Sequence, residues 1–237
     1  NTIFETAHRC RICFTQNISE ILNLGNQPPA NSLFLPGEEE PPLVPLRLIF
    51  CRECGTIQLG ESVDPHYLFS KYVWITGTSK TAIEYSQRFA RDALNRWYGE
   101  DPFVVEVASN DGTFLRRFQE NGCRVLGIDP AENLAQAATE AGVPTLARFF
   151  NQELAGELLE SEGSADIIIA RNVIPHVKEI HSVVEGISML LDEDGIGIIE
   201  FHDSTLILDQ LQYDYIYHEH LFYYSLASIG SLLYQYG

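Results

Sequence analysis

The pattern of hydrophobic positions divides the chain near residue 72. Beyond residue 102, short runs rich in Ile and Val alternate with stretches of helical spacing, and the chain shows no internal repeat. The pattern predicts strands at 103–109, 124–130, 145–149, 165–173 and 195–201, and helices at 113–121 and 133–141. Near-continuous apolar strands alternating with helices are typical of a parallel sheet covered on both faces. We therefore expect an α/β fold for this part.

The first 72 residues have a different pattern, with no long periodic segment. Six prolines fall in a short stretch, and they predict loops and short strands rather than long helices: Pro28, Pro29, Pro36, Pro41, Pro42 and Pro45. Residues 72–79 are predicted to be a linker that ends in a helix N-cap at Thr78 or Ser79. A helix should follow to about Trp97. One more helix is predicted at 226–236, and the end of the chain directly after it predicts a truncated protein.

Composition limits the classes of function. The chain of 237 residues carries 33 acidic and 15 basic side chains, a formal net charge of −18. Nucleic-acid binding needs clustered Lys and Arg, so a nucleic-acid partner is excluded. No apolar run approaches the ~20 residues of a membrane span, and the first residues lack a signal-peptide pattern. Five cysteines, an odd number without such a signal, favour a reducing cytoplasm over a disulfide framework.

Four of the cysteines form two C-x-x-C pairs, Cys10 with Cys13 and Cys51 with Cys54. Each pair places two thiolates on one tight turn, as tetrahedral zinc requires, and a small proline-rich segment needs such a crosslink. Four thiolates leave no open position, so the zinc should be structural. The alternative is a redox pair or free thiols. Cys123 is expected to be an inert core thiol, and His8 to be exposed.

The turn after the first predicted strand of the α/β part reads E-V-A-S-N-D-G, residues 106–112. A ligand binds where such a strand turns tightly into a helix, and the small residues Ala108, Ser109 and Gly112 let the backbone approach it. Ala108 stands where the usual glycine-rich loop has Gly. Asp129, 23 residues after Glu106, is placed to accept hydrogen bonds from ribose hydroxyls, or alternatively to cap the next helix.

The charge of this loop favours one cofactor class. Glu106, Asp111 and Asp129 are acidic and no basic residue accompanies them, which disfavours the two phosphates of NAD. S-adenosylmethionine, with its sulfonium and amino groups, suits an acidic site. A third contact loop is expected in A-R-N-V-I-P-H-V, where Asn172 and Val173 would lie on the adenine and methionine side.

The segment D-Y-I-Y-H-E-H, residues 214–220, gathers two histidines, a glutamate and two tyrosines. Three interpretations stay open: a metal site built on His218 and His220, an exposed polar patch, and a general acid/base cluster. The last is preferred because histidine titrates near neutrality and a neighbouring Glu or Tyr can orient it. His202 and Asp203 lie near the same predicted crevice and receive no role.

Taken in order, these motifs and S-K-Y at 70–72 resemble the C-methyltransferases of nucleotide-linked deoxysugars over essentially the whole chain. The resemblance implies a zinc-binding domain at 1–72 and a Rossmann-like class I methyltransferase domain at 73–237. It also implies a third, substrate-holding domain, most of which this chain lacks.

The chemistry implied by the resemblance is methylation at the carbon next to a 4-keto group, through an enolate. By motif, His220 matches the base, and Tyr217, Glu219, His176 and Tyr72 match other active-site residues. The cofactor residues implied for S-adenosylmethionine are Glu106, Ala108, Ser109, Asn110, Gly112, Asp129, Pro130, Asn172 and Val173. Carbon methylation needs a base, since a C–H bond is not nucleophilic until deprotonated.

Two other function classes compete with this one. An O- or N-methyltransferase of a small molecule can rely on positioning alone and should tolerate substitution of His220. A non-enzymatic zinc-binding adaptor would bind the cofactor in its α/β domain without turnover. The expected partner is a small molecule, a nucleotide-linked keto-sugar, with no nucleic acid or membrane involved.

Overall fold

The computed structural model describes residues 3–70 and 72–237. Its strands are β1 (Phe4–Thr6), β2 (Ile18–Gln27), β3 (Val44–Cys51), β4 (Ile57–Leu59), β5 (Glu61–Val63), β6 (Phe103–Val107), β7 (Arg124–Ile128), β8 (Thr145–Leu146), β9 (Ala165–Arg171), β10 (Leu191–Glu200) and β11 (Phe222–Tyr223). Its α-helices are α1 (Pro65–Phe69), α2 (Lys80–Leu94), α3 (Leu115–Glu120), α4 (Glu132–Glu140), α5 (Gln152–Glu162), α6 (Ile180–Leu190), α7 (Ser204–Asp209) and α8 (Leu226–Leu233).

The chain forms two compact units. The first contains the chain up to Leu68 together with Ile174–His181 and Phe201–Gly237, and the second contains Phe69–Val173 and Ser182–Glu200. The sequence predicts a single domain boundary between residues 72 and 73. The contacts in the structure instead place residues 174–181 and 201–237 in the first unit, although they come later in the chain.

The second unit is built on the predicted parallel sheet, in the strand order β10-β9-β6-β7-β8. Val104 of β6 pairs with Val125 of β7 on one side and with Ile167 of β9 on the other. The chain runs outward from β6 to β8 and then returns to β9 on the opposite side of β6. This reversal opens a crevice at the carboxyl ends of β6 and β9, the place where such sheets bind ligands. The α/β prediction is confirmed.

The core of this sheet explains why the apolar runs form strands. All five residues of β6 are buried. Residues of β6, β7 and β9 pack with α2 and α3 in one cluster: Ala90, Ala93, Val104, Leu115, Phe118, Cys123, Val125, Val143, Ile167 and Ile169. Cys123 is thus a core residue, as predicted, and burial raises its pKa.

The boundaries of several elements differ from their predictions by a few residues. Helix α2 begins after Ser79, whose side chain accepts a hydrogen bond from the Ala82 amide, so the predicted N-cap is confirmed. It ends at Leu94 rather than near Trp97. Strand β6 ends two residues early because Ala108 has φ +58°, outside the extended region. Strand β8 has only two residues, and α8 ends at Leu233.

The first unit contains an antiparallel sheet in the order β11-β4-β3-β2 and the antiparallel pair β1-β5. The prediction of short strands is wrong for β2 and β3, which have ten and eight residues. Five of the six prolines lie in the connection between these strands, where they do not interrupt the ladder. Within the described residues, no helix is long and apolar enough to cross a membrane.

Candidate functional site

The four paired cysteines converge in the first unit, where their sulfur atoms all lie within 4.8 Å of one another. Cys10 Sγ is 3.6 Å from Cys54 Sγ, and Cys13 Sγ is 3.5 Å from Cys51 Sγ. A tetrahedron of thiolates around zinc has edges of about 3.8 Å, given Zn–S bonds near 2.3 Å. The two C-x-x-C turns therefore fit one zinc ion with four thiolate ligands. His8 is exposed, as expected.

Polar groups around the sulfurs orient the cluster. The buried amide of Gln58 donates from Nε2 to Cys10 Sγ at 3.1 Å. Its Oε1 accepts from the backbone amide and from Nη1 of Arg11, both at 3.1 Å, which fixes the direction in which the amide points. Such outer contacts favour the thiolate form of a ligand. The hydrogen bond with Cys54 is the main cause that lowers the pKa of Cys10 to about 4.

In the second unit, the loop after β6 alternates between ordinary and left-handed backbone. Ala108, Asn110 and Gly112 have φ of +58°, +53° and +73°. A Cβ on Gly112 would lie 3.0 Å from the Val143 side chain, so glycine suits this position for a second reason. The loop thus adopts at Ala108 and Asn110 the conformation that glycine favours, even though only Gly112 is glycine.

Two buried polar atoms point to a ligand at this loop. Among the described residues, Glu106 Oε2 and Ser109 Oγ are buried and have no hydrogen-bond partner. Burial raises the pKa of Glu106 to about 8, and the nearby Arg171 partly opposes the shift. A cationic or hydroxyl-bearing ligand would satisfy these atoms. The residues present therefore fit S-adenosylmethionine.

Asp129 follows β7 at the same edge of the sheet and is buried. Its Oδ2 accepts from the Asn110 amide at 2.8 Å, and its Oδ1 accepts from the Ala131 amide at 2.9 Å. Asp129 therefore holds the β6 loop and also starts α4, as the alternative interpretation suggested. A carboxylate has further lone pairs, so these bonds leave capacity for ribose hydroxyls. Pro130 is half-buried beside it.

The linker contributes to this loop in a way the sequence did not reveal. Asn110 Oδ1 accepts from the Thr76 amide at 2.9 Å, and its Nδ2 donates to the Trp74 carbonyl at 3.1 Å. Asp111 accepts from the Gly77 amide at 2.9 Å, and a Cβ on Gly77 would lie 2.5 Å from that carboxylate. Residues 74–77 were predicted only as a linker.

A buried cation at the end of β9 was also missed. The Arg171 guanidinium lies 3.3 Å from the centre of the Phe114 ring. Its Nη2 is 2.9 Å from Glu200 Oε1, and its Nη1 is 3.9 Å from Glu106 Oε1. The Tyr85 hydroxyl donates to Glu200 Oε2 at 2.5 Å. The only sequence signal was an Arg that directly follows a buried apolar strand.

Asn172, next in the chain, is tied to this network. It has φ +50°, its amide donates to the Glu200 carbonyl at 2.7 Å, and its Nδ2 donates to Glu200 Oε1 at 3.1 Å. Val173 follows it and is partly buried. All the residues predicted for the cofactor therefore lie in the second unit, at the carboxyl ends of β6, β7 and β9.

Four of the five predicted catalytic residues lie in the first unit, where His220 is held by two hydrogen bonds. Its Nδ1 is 2.8 Å from the Tyr215 carbonyl, and its Nε2 is 2.9 Å from the Tyr217 hydroxyl. A carbonyl only accepts, so Nδ1 carries the proton of the neutral ring and Nε2 holds the lone pair. Burial is the main cause that lowers the pKa of His220, so the ring is a neutral base at neutral pH.

His176 and Glu219 complete this cluster. The His176 ring lies 4.9 Å from that of His220, nearly at right angles, and hydrogen-bonds to the Glu219 backbone. Desolvation and the neighbouring His220 lower the pKa of His176 to about 3. The buried Glu219 carboxylate accepts from Asn31 Nδ2 at 2.6 Å. Asn31, in the loop after β2, is a further member that no sequence motif indicated.

The remaining predicted residues have other surroundings. His218 is buried with Nε2 3.2 Å from the Val44 carbonyl, so it shares no partner with His220. Among the described residues, the four cysteines form the only group of three or more potential ligands that could hold a metal ion. Tyr72 belongs to the second unit, where its backbone bonds to the Asn133 side chain. Asp203 caps α7.

Comparison with known proteins matches two regions of the chain to family models. Residues 10–69 match a family model described as "Putative zinc binding domain", and residues 82–237 match one described as "Methyltransferase domain". The chain is 32% identical to C-methyltransferase NovU of Streptomyces niveus, an alignment that covers 96% of this chain and 55% of the relative. It therefore spans about half the length of that relative.

More distant matches cover the α/β part. A ubiquinone biosynthesis O-methyltransferase of Azorhizobium caulinodans is 23% identical over 50% of this chain and 51% of its own length. The solved structure of a SAM dependent methyltransferase from Archaeoglobus fulgidus aligns with a TM-score of 0.53 and 16% identity, over 65% of this chain and 68% of that one. The fold is shared with that protein, and the resemblance to C-methyltransferases is confirmed. The chain belongs to the family of methyltransferase domains and carries a zinc-binding domain ahead of it.

Proposed function

We propose that this chain forms the zinc- and cofactor-binding part of an S-adenosylmethionine-dependent C-methyltransferase. Its proposed acceptor is the carbon next to the 4-keto group of a nucleotide-linked deoxysugar. The observation that carries the proposal is His220, a partly buried neutral imidazole whose lone pair is fixed on Nε2. A carbon acceptor needs such a base, whereas an oxygen or nitrogen acceptor can react through positioning alone.

The second unit supplies the cofactor residues in this proposal. Asp129 would accept from the ribose hydroxyls, and Glu106 and Ser109 offer buried acceptors to the positively charged methionine end. Once bound, S-adenosylmethionine supplies an electrophilic methyl group. The loop disfavours a dinucleotide because it would place phosphates beside the carboxylates of Asp111 and Asp129.

The first unit supplies the proton chemistry. His220 Nε2 takes the proton from the substrate carbon, and the electron pair of that C–H bond moves into the ketone to give an enolate. The Tyr217 hydroxyl, released from Nε2 when the substrate enters, then donates to the enolate oxygen. Burial raises the pKa of Tyr217 to about 12, which keeps this hydroxyl protonated. His176 stays neutral beside His220, and Glu219 and Tyr72 are proposed substrate contacts.

The decisive experiment uses the natural full-length protein, S-adenosylmethionine labelled with ¹³C in its methyl group, and a panel of 4-keto nucleotide sugars. The proposal expects the label on a carbon adjacent to the ketone, located by NMR. His220→Gln should lower kcat by about 10²–10⁴-fold, the usual range for a general base. The exposed His66→Gln is the matched control and should retain the wild-type rate.

The same experiment separates the competing functions. Label on oxygen or nitrogen, with His220→Gln fully active, would identify a heteroatom methyltransferase. The similarity of half the chain to an O-methyltransferase makes oxygen the acceptor to test first. Calorimetry that detects no binding of S-adenosylmethionine or S-adenosylhomocysteine would identify a non-enzymatic adaptor instead.

A further inference from the structure

His202 is the second residue after β10 and has no part in the chemistry described above. Its imidazole stacks on the phenol ring of Tyr215, with ring centres 4.0 Å apart and planes 26° from parallel. The Tyr215 ring is also nearly parallel to that of His220, at 5.8 Å. These three side chains all belong to the first unit. His202 is therefore connected to His220 through one residue.

Tyr215 is the residue that determines which nitrogen of His220 is protonated. Its carbonyl accepts from His220 Nδ1 at 2.8 Å and from the Tyr223 hydroxyl at 3.3 Å. Any displacement of this carbonyl removes the acceptor that holds the proton on Nδ1. Nε2 would then be free to carry the proton, and a protonated Nε2 cannot act as a base.

The turn that carries Tyr215 is held by local hydrogen bonds, among them that from the Tyr215 amide to the Gln212 carbonyl at 3.1 Å, and it is not buried. Tyr215 ends a single 3-10 turn, Tyr213–Tyr215, in which Tyr213 is 78% exposed and no residue is buried. His202, by contrast, lies between β10 and α7, next to Asp203, whose side chain caps α7 through Thr205. The ring stack thus joins a short turn without buried residues to a position next to a capped helix.

We propose that His202 is a positioning residue for the base: its ring braces Tyr215, so that the Tyr215 carbonyl keeps the His220 proton on Nδ1 and the lone pair on Nε2. This inference deepens the proposed function and rests on it for its catalytic meaning. The brace itself is a property of the folded protein and is measurable without substrate.

Two substitutions distinguish the brace from a general structural role. His202→Ala removes the ring, whereas His202→Phe keeps a planar ring of similar size and removes the ionisable group. The natural full-length protein, labelled with ¹⁵N-histidine, reports the tautomer of each neutral imidazole through its ring nitrogen shifts. His220→Gln assigns the relevant signals by their loss.

We expect Nδ1-protonated His220 in the wild type and in His202→Phe, and a mixture of both tautomers in His202→Ala. The brace is refuted if His202→Ala leaves the His220 tautomer unchanged, or if His202→Phe disturbs it as much as alanine does. Unchanged circular dichroism in all variants shows that they fold. This measurement stands even if no methyl transfer is ever found.

Kinetics then test the catalytic meaning. His202→Ala should lower kcat about tenfold, because it removes part of the general-base contribution. The KM for S-adenosylmethionine should stay within about twofold of the wild-type value. His202→Phe should recover kcat above neutrality. A wild-type kcat in an alanine variant with a mixed tautomer would overturn the positioning role while leaving the proposed C-methyl transfer intact.

The pH profile gives an independent readout. The ionisable groups near His220 are His202, His176, Tyr215, Tyr217, Tyr223 and Glu219. Besides burial, the neighbouring His202 lowers the pKa of His220, so His202→Phe should move the acid limb of kcat/KM to higher pH. An acid limb that stays in place would contradict this coupling.

Discussion

The two units are stabilised by different means. In the second unit, β6 is completely buried and its aliphatic side chains form a continuous core with α2, α3 and the neighbouring strands. In the first unit, eight of the ten residues of β2 are exposed, and Cys10 and Cys51 are among the most buried residues. The first unit also has an apolar core, which includes Leu59, Phe222 and Tyr224, but we expect it to need in addition the bonds from its thiolates to zinc. The difference predicts that each unit can be weakened separately.

Zinc removal should have the largest effect and should be confined to the first unit. Structural zinc contributes an apparent ~10–16 kcal/mol to the folding of small zinc domains. With a strong chelator, or in Cys51→Ser, we expect amides of β3 and β4 to lose hydrogen-exchange protection while those of β6 and β9 keep it. Mass spectrometry of exchanged peptides measures both.

Cys123→Ser is the control for that experiment, because Cys123 lies in the core of the second unit. It should leave zinc content unchanged and destabilise only the sheet of that unit. Equal protection of β3 with and without metal would contradict the dependence of the first unit on zinc.

Loss of Arg171 should be the strongest single electrostatic perturbation of the second unit. Arg171→Met breaks the ion pair with the partly exposed Glu200 and removes the guanidinium that packs on Phe114. Glu106, which keeps its proton below about pH 8, loses a cationic neighbour at 3.9 Å. We expect a loss of about 1–3 kcal/mol, the cost of leaving a hydrogen-bonded polar group without its partner. Urea unfolding measures the loss. Arg148→Met is the control, since the Arg148–Glu157 pair is exposed to solvent and should contribute much less to stability. Equal losses of stability in the two variants would show that Arg171 contributes no more to this unit than an exposed ion pair does.

Glu106 should make the second unit less stable as pH rises. Burial raises its folded-state pKa to about 8, above its ordinary value, so between about pH 4.5 and 8 the native state retains a proton that the unfolded state has lost. Stability therefore falls through this window, by at most about 1.4 kcal/mol per pH unit. Glu106→Gln should abolish this part of the slope, measured by urea unfolding at several pH values.

Glu157→Gln is the matched control for that slope. Its hydrogen bond to Arg148 lowers the pKa of Glu157, so the group titrates below the window and should not change the slope between pH 5 and 8. A slope that Glu106→Gln leaves unaltered would show that Glu106 is ionised in the native protein throughout this range.

The two units also differ in what their sequence reveals. The α/β strands and the zinc ligands were predictable, because apolar runs and C-x-x-C spacing act locally. The lengths of β2 and β3 were not, since the prolines that suggested short strands lie mostly in the connection between them. Asn31, Arg171 and residues 74–77 were missed because their partners are distant in the chain, such as Glu219 for Asn31.

The loop after β6 could be predicted only in part from the sequence. Its position after a buried strand indicated a ligand site, but its sequence has Ala108 where the glycine-rich pattern has glycine. The backbone of Ala108 nevertheless has φ +58°, so an alanine adopts the left-handed conformation that the glycine-rich pattern would assign to glycine. The sheet and the Asp129 carboxylate hold the loop, and they supply what glycine would have supplied.

Ala108→Gly should therefore give the smallest effect, and one of opposite sign to the others. A left-handed conformation costs a non-glycine residue about 1–2 kcal/mol, whereas glycine adds about 0.4–1 kcal/mol of unfolded-state entropy. The expected net result is a gain of up to about 1 kcal/mol in the free energy of unfolding, measured with urea. The control is Ala135→Gly inside α4, where glycine should cost about 1 kcal/mol. If both substitutions lowered the free energy of unfolding equally, the left-handed conformation of Ala108 would cost no free energy.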